Sequence, residues 1–392
     1  MKLSHFLSAA FAAAVLAACG GGDSPAAPSG PTSTPSSVYA AGPVTGFGSV
    51  IINGVRFDDS AATISDDDGR TLAESEVHLG MQAEVAGERG SDDAHGLAHA
   101  IHIHSALIGP VTAVDTTAGT LTVLGQTVTV DAQTAFDTAL ATGLASVTTG
   151  VVVQVHGQFD TASQSYLATR IELDATATHY KIRGTITALD TTAKTLAIGP
   201  TAVDFSTTVG VPTDLAVGKL VAIRLATTPV NGVWTATAIG DGQRLMHDHD
   251  EAHLRGVISA FTSVTQFSVD GNPVDASAAA FPDGQAGIVL GATVEVEGQL
   301  VNGVVVAKVV GVEDEHGHDG SRVELHGTIS ALDTTAQTFV VRGVTVSYAG
   351  SVDFHHGSAA TLANGLFVEV HGGFSADGTV VDATRIDLKP AD

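Results

Sequence analysis

Histidine is the unusual supply of reactive groups in this chain of 392 residues, which carries 17 of them. Eleven fall in four places: His95, His99, His102 and His104; His247, His249 and His253; His316 and His318; and His355 with His356. Imidazole binds zinc, copper and nickel readily, and a carboxylate can complete a tetrahedral set around zinc. In Met246-His-Asp-His-Asp-Glu-Ala-His253 the three histidines, with Asp248 or Asp250, bring enough donors for one ion. Glu313-Asp-Glu-His-Gly-His-Asp319 repeats that composition around His316 and His318. A solvated polar linker accounts for both stretches without any ligand geometry. It is the stronger account for tight binding, while weak, exchangeable association with zinc, copper or nickel is expected beside it.

The first group differs, because Ile101-His-Ile-His104 alternates. On a strand, His102 and His104 share one face and the isoleucines take the other. They match Glu172 and Asp174 further along the chain, which predicts an outward, polar face; His95 or His99 from the preceding hairpin would complete a strand site. His156 and His371 each precede a turn glycine at matching positions, which predicts a structural or solvent-facing role. Ser65-Asp-Asp-Asp-Gly69 lacks the ligand spacing of an EF-hand loop and is expected to be a hairpin turn. The sequence contains no Gly-x-Ser-x-Gly elbow, phosphate-cradling loop with lysine or His-Glu-x-x-His pair. No catalytic residue is nominated, and the expected function is non-enzymatic.

The elements that would position these residues come from a repeated phrase, Gly-x-x-apolar-x-apolar, usually closed by glycine. It reads Gly80-Met-Gln-Ala-Glu-Val-Ala-Gly87, Gly150-Val-Val-Val-Gln-Val-His-Gly157, Gly218-Lys-Leu-Val-Ala-Ile-Arg-Leu225, Gly291-Ala-Thr-Val-Glu-Val-Glu-Gly298 and Gly365-Leu-Phe-Val-Glu-Val-His-Gly372. The anchor glycines stand 70, 68, 73 and 74 residues apart, the period of a small domain rather than a solenoid coil. A second phrase precedes each, clearest in Gly184-Thr-Ile-Thr-Ala-Leu-Asp-Thr-Thr-Ala and Gly327-Thr-Ile-Ser-Ala-Leu-Asp-Thr-Thr-Ala. Its apolar-polar alternation is that of a half-buried strand, and the Asp opens a turn. Thr195–Ile198 and Thr338–Val341 read as return strands of hairpins, and Val344–Ser347 as a third strand. A less regular stretch able to hold a short helix follows. The anchor phrase supplies strand four, entered through a glycine tolerant of positive φ or close backbone approach, and phrases such as Ala168–Leu173 and Ala383–Leu388 supply strand five. The predicted fold is all-β, with five tandem small OB-like β-barrel modules. Their expected bounds are 41–106, 107–178, 179–244, 253–313 and 322–389.

The N-terminus bears on location. Lys2 is followed by an apolar stretch, Phe6 to Leu16, too short to cross a bilayer and suited to a signal peptide. Residues 1–18 are expected to be removed. Leu16-Ala17-Ala18-Cys19 ends the stretch at the single cysteine of the chain, which excludes a disulfide framework or a cysteine-based zinc site. Residues 19–40 are expected to form a flexible tether rich in Gly, Ser and Pro. Without residues 1–18 the chain keeps 16 basic against 42 acidic residues, a formal charge of −26. That balance repels phosphate backbones, so no nucleic-acid partner is expected.

Leu-Ala-Ala-Cys resembles the lipobox of bacterial lipoproteins, and together with the repeated phrases the chain resembles bacterial lipoproteins that carry tandem OB-like domains of unknown function. The resemblance spans residues 42 to 388. It implies lipidation at Cys19, and Gly20 in place of Asp implies sorting to the outer membrane, facing the periplasm or the cell surface. It implies no activity, and its pattern positions are fold-forming. The expected role is binding or envelope-structural, with the membrane, an unknown protein or glycan, and metal ions as partners. The alternative is transition-metal binding through the His- and Asp-rich segments.

Overall fold

The computed structural model describes residues 36–90, 92, 94–243, 245, 247–312 and 323–389. The signal segment, Cys19 and the tether up to residue 35 lie outside the described residues, as do His316 and His318. The described chain is all-β apart from short 3-10 turns, and no helix in it is long and apolar enough to cross a membrane. The described residues belong to one compact unit.

One circuit of strand pairing recurs along this unit. In the second segment, Leu107–Asp115, Thr120–Val123 and Gln126–Thr129 form an antiparallel meander. The third of these runs parallel to Ser165–Leu173, which pairs antiparallel with Val152–Asp160. Val152–Asp160 then returns antiparallel to the first strand, and the barrel closes. This one-two-three-five-four order is the OB-like arrangement, and closure leaves no strand edge open. The first segment repeats it with Ser37–Phe47, Val50–Ile52, Val55–Asp58, His95–His104 and Gln82–Arg89. His249–Ser263, Gln266–Val269, Asn272–Asp275, Val304–Val312 and Thr293–Val301 repeat it again. In two other segments the first strand is interrupted, as Tyr180–Thr185 with Ala188–Asp190 and as Val323–Thr328 with Ser330–Asp333, and the same neighbours follow. The expected short helix between strands three and four is a 3-10 turn at Glu74–Glu76, Gly143–Ser146 and Ala359–Thr361.

The anchor glycine has the conformation its position predicts. Gly80, Gly150, Gly218, Gly291 and Gly365 all take positive φ, between 81° and 92°, a region costly for a residue with Cβ. The bend lets the Gly150 amide donate to the Val111 carbonyl while the Val111 amide donates to the Val151 carbonyl, both at 2.8 Å. The same reciprocal pair joins Val44 to Gly80 and Met81, and Ile329 to Gly365 and Leu366. The closing glycine meets a different need. Strands four and five change register at His156/Gly157, and a Cβ on Gly157 would collide with the Leu167 carbonyl, as expected at a bulge.

Segments of this size bury a modest core alone, and here they share cores. One apolar cluster joins residues of 38–103 to residues of 323–388, including Phe57, Ile101, Phe339 and Ile386. A second runs from Ala106 to Ile239, and a third holds residues of 252–310 together with Tyr39. Backbone pairing ties segments too. Val38–Ala41 lies parallel to Glu251–Leu254, Gly46–Phe47 to Glu324–Leu325, and Lys181–Ile182 pairs antiparallel with Leu107–Ile108. Here the structure corrects one expectation. Residues 249–253 belong to a strand paired on both sides, not to a solvated linker, because Ala252 and Leu254 point into a core.

Candidate functional site

Several chemistry-bearing residues lie on the outward sides of barrel strands where segments meet, among them His102, His104, Lys181 and Arg183. On strands one, four and five, alternate apolar side chains fill the interior, so their neighbours point outward. Ile101 and Ile103 enter the core, and His102 and His104 take the other side, their rings 6.4 Å apart. The shared face is as predicted, but it does not meet solvent: His102 is 2% and His104 4% exposed. Other segments cover it, which local alternation cannot reveal.

At this junction His102 Nε2 lies 3.2 Å from Asp67 Oδ1, and the Ser105 amide donates to Asp67 Oδ2 at 3.1 Å. Lys181 from the third segment donates to the same carboxylate, to the Ser105 carbonyl at 2.6 Å and to Ser105 Oγ at 3.1 Å. These partners match the three donors of an ammonium. Burial pushes the Asp67 carboxyl up, yet Lys181 and the His102 hydrogen bond outweigh it and hold the group well below the carboxylate range. Burial lowers Lys181 against the pull of Asp67. It also holds His104 well below the ordinary imidazole value, with Arg183 adding to the effect.

Arg183, on the same face as Lys181, reaches the fourth segment. Its Nη1 lies 3.1 Å from Asp270 Oδ2, and its Nε donates to the Gly242 carbonyl at 2.8 Å. Gln158 joins the second segment to the fourth, accepting from the Val257 amide at 2.8 Å and donating to the Arg255 carbonyl at 3.2 Å. His156 is fully buried rather than solvent-facing, with Nδ1 2.7 Å from the His104 carbonyl, and the glycine after it stands at a bulge within the strand and not at a turn.

The remaining nominated histidines are dispersed. His95 and His99 are exposed and sit beside Asp92 and Glu88, apart from His102 and His104. His247 is exposed and His253 half-buried. His249 lies over Tyr39 with ring centroids 5.9 Å apart, and neither of its buried ring nitrogens has a hydrogen-bond partner. Four residues along a strand span roughly 13 Å, too far for His249 and His253 to share the close shell of one ion. Asp248 instead accepts from the Asn302 amide at 2.6 Å, and Asp250 from Ser37. Among the described residues, donor atoms converge at Glu324, Glu369 and His371, all within 4.8 Å of one another. Arg56 pairs with Glu324, and Lys389 lies 3.0 Å from Glu369, so that group already holds its counter-charges.

Sequence reasoning passed over Asp67, Lys181, Arg183 and Asp270. Asp67 was one of three carboxylates in a turn, and the turn itself is as expected: Asp66 accepts from the Asp68 and Arg70 amides, and Gly69 has positive φ. The available signal was Lys181-Ile-Arg183, two cations flanking a core isoleucine.

Residues 108–172, 255–311 and 326–387 each match one family, described as a domain of unknown function, DUF5666. No curated protein matches the chain.

Proposed function

Starting from a chain that matches DUF5666 three times, we propose that the protein is a non-enzymatic lipoprotein of the bacterial outer membrane, held by Cys19, with a binding or envelope-structural role. The observation supporting this reading is the use made of the junction ionisable groups. Asp67 pairs with Lys181 and Arg183 with Asp270 across segments, and the Lys181 ammonium is bound by the Asp67 carboxylate and by Ser105. Charged pairs that bridge segments, each cation matched by a carboxylate, favour one register of assembly. The lipobox-like Leu16-Ala17-Ala18-Cys19 supports the anchor, and the acidic surface suits an extracytoplasmic setting.

Growth with an alkyne-tagged palmitate tests the anchor. The full chain should take up label and sediment with outer membranes, and Cys19→Ala should lose both properties. Label retained without Cys19, or protein confined to the cytoplasm, would overturn the reading.

Transition-metal binding through the His- and Asp-rich segments is the second reading. The specific observation favouring it is His249, whose two ring nitrogens have no hydrogen-bond partner, beside the exposed His247.

A further inference from the structure

Where the first, second and fifth segments meet, a cavity of about 570 Å3 opens between them, within the size range of small-molecule sites. Phe47, Val77, Leu79, Phe136, Val344 and Phe374 supply apolar wall. The Phe136 wall is fixed by backbone, its amide donating to the Gly378 carbonyl at 2.9 Å. One end is polar. Arg170 Nε donates to Glu172 Oε1 at 2.8 Å and Arg170 Nη1 to the Leu79 carbonyl at 3.1 Å. His78 Nδ1, 3.7 Å from Glu172, is buried with no hydrogen-bond partner. Arg342, paired with Glu74, lines the cavity as well.

We propose that this cavity is a binding site for a small, mainly apolar, uncharged molecule carrying one neutral head group that donates a hydrogen bond, such as a hydroxyl or an arylamine N–H. The apolar wall selects the body of the ligand. Charge selects the head. The cations Arg170 and Arg342 are each matched by a carboxylate, Glu172 and Glu74, and Asp137 adds a further acid to the lining. A ligand anion would be desolvated beside three carboxylates without an uncommitted cation, and a ligand cation would compete with guanidinium for Glu172. A neutral head that donates to Glu172 avoids both costs. This inference rests on the binding role proposed above and supplies its place and ligand class.

The test uses the purified mature chain and two fluorescent probes, uncharged N-phenyl-1-naphthylamine and anionic 8-anilinonaphthalene-1-sulfonate. The uncharged probe should bind saturably, about one per chain, and the sulfonate at least tenfold more weakly. Thr345→Trp, which places an indole on the cavity wall, should weaken the uncharged probe at least tenfold while the thermal midpoint stays near wild type. Thr138→Trp, at an exposed part of the lining, is the second variant should the first not fold. No saturable uptake by wild type, equal binding by a folded tryptophan variant, or equal affinity for the sulfonate would each overturn the proposal. Palmitate labelling at Cys19 is independent of all three outcomes, so failure here and failure of the anchored reading are told apart.

Discussion

Lys181 donates to Asp67 across 114 residues of sequence, joining the third segment to the first with an ion pair that is almost wholly buried. Desolvating two charges offsets much of their attraction, so the pair adds little over an apolar contact of the same shape. Its loss on one side is another matter. Asp67→Ala leaves the ammonium buried without its counter-charge and should destabilise the chain by about 3–5 kcal/mol. Lys181→Met should do likewise by stranding Asp67. The double variant Asp67→Ala/Lys181→Met should recover a good part of either loss, giving a coupling that a urea-unfolding cycle measures. Additive single effects would mean that the pair does not hold this junction.

Acid should loosen the same junction before it touches the carboxylates. His104 is held neutral by burial and by Arg183, so its folded pKa lies below the unfolded value of about 6.5. Between those two values the unfolded chain binds the extra proton, and stability falls as pH drops below about 6.5. His249 and His253 are lowered in the same direction by burial. Asp67 follows the carboxylate sign, its contribution present above about 3.9 and lost below. Urea midpoints taken from pH 7.5 to 5 should decline in wild type and decline less in His104→Gln. Parallel curves would remove His104 from the account.

The two glycines of the anchor phrase fail differently. Gly150 has positive φ, and the space a methyl group would take there is open, so Gly150→Ala meets backbone strain alone, roughly 1–2 kcal/mol. Gly157 sits at the register change, and a Cβ there meets the Leu167 carbonyl directly. Gly157→Ala should therefore cost more than Gly150→Ala, and thermal unfolding of the two variants orders them. The reverse order would place the constraint at the strand entry rather than at the bulge.

Local pattern explains which parts of this fold could be read in advance. Thr195–Ile198, Thr338–Val341 and Val344–Ser347 are strands over the residues their alternation predicts, because period two and the flanking turns are local properties. The junctions are not local. Nothing near Asp67 distinguishes it from Asp66 and Asp68, and its partner is set by how distant segments stack. The same stacking buries His102 and His104, whose shared face alternation does predict. For His249 and His253, composition suggested a linker, yet the apolar Ala252 and Leu254 between and beyond them continue a strand. An apolar period of two inside a charged run was the clue.

Zinc titration separates the two places where donors could hold an ion. At Glu324, Glu369 and His371, a metal must displace Arg56 and Lys389 from the carboxylates, and the hydrogen bond from His326 also favours the ionised Glu324. Replacing two matched cations with one divalent ion in that setting gains little charge stabilisation. The exposed His247 and the unpartnered nitrogens of His249 have no such competitor, though the strand keeps them from closing on one ion with His253. Metal-free protein should therefore show weak, saturable and exchangeable zinc uptake. That uptake should fall several-fold in His247→Ala/His249→Ala/His253→Ala, fade below about pH 6.5 as imidazole protonates, and persist in Glu324→Gln/Glu369→Gln. Uptake that survives the triple histidine change but vanishes in the double glutamine variant would move the metal reading to the fifth segment. Equal uptake by all three proteins would remove both places from it.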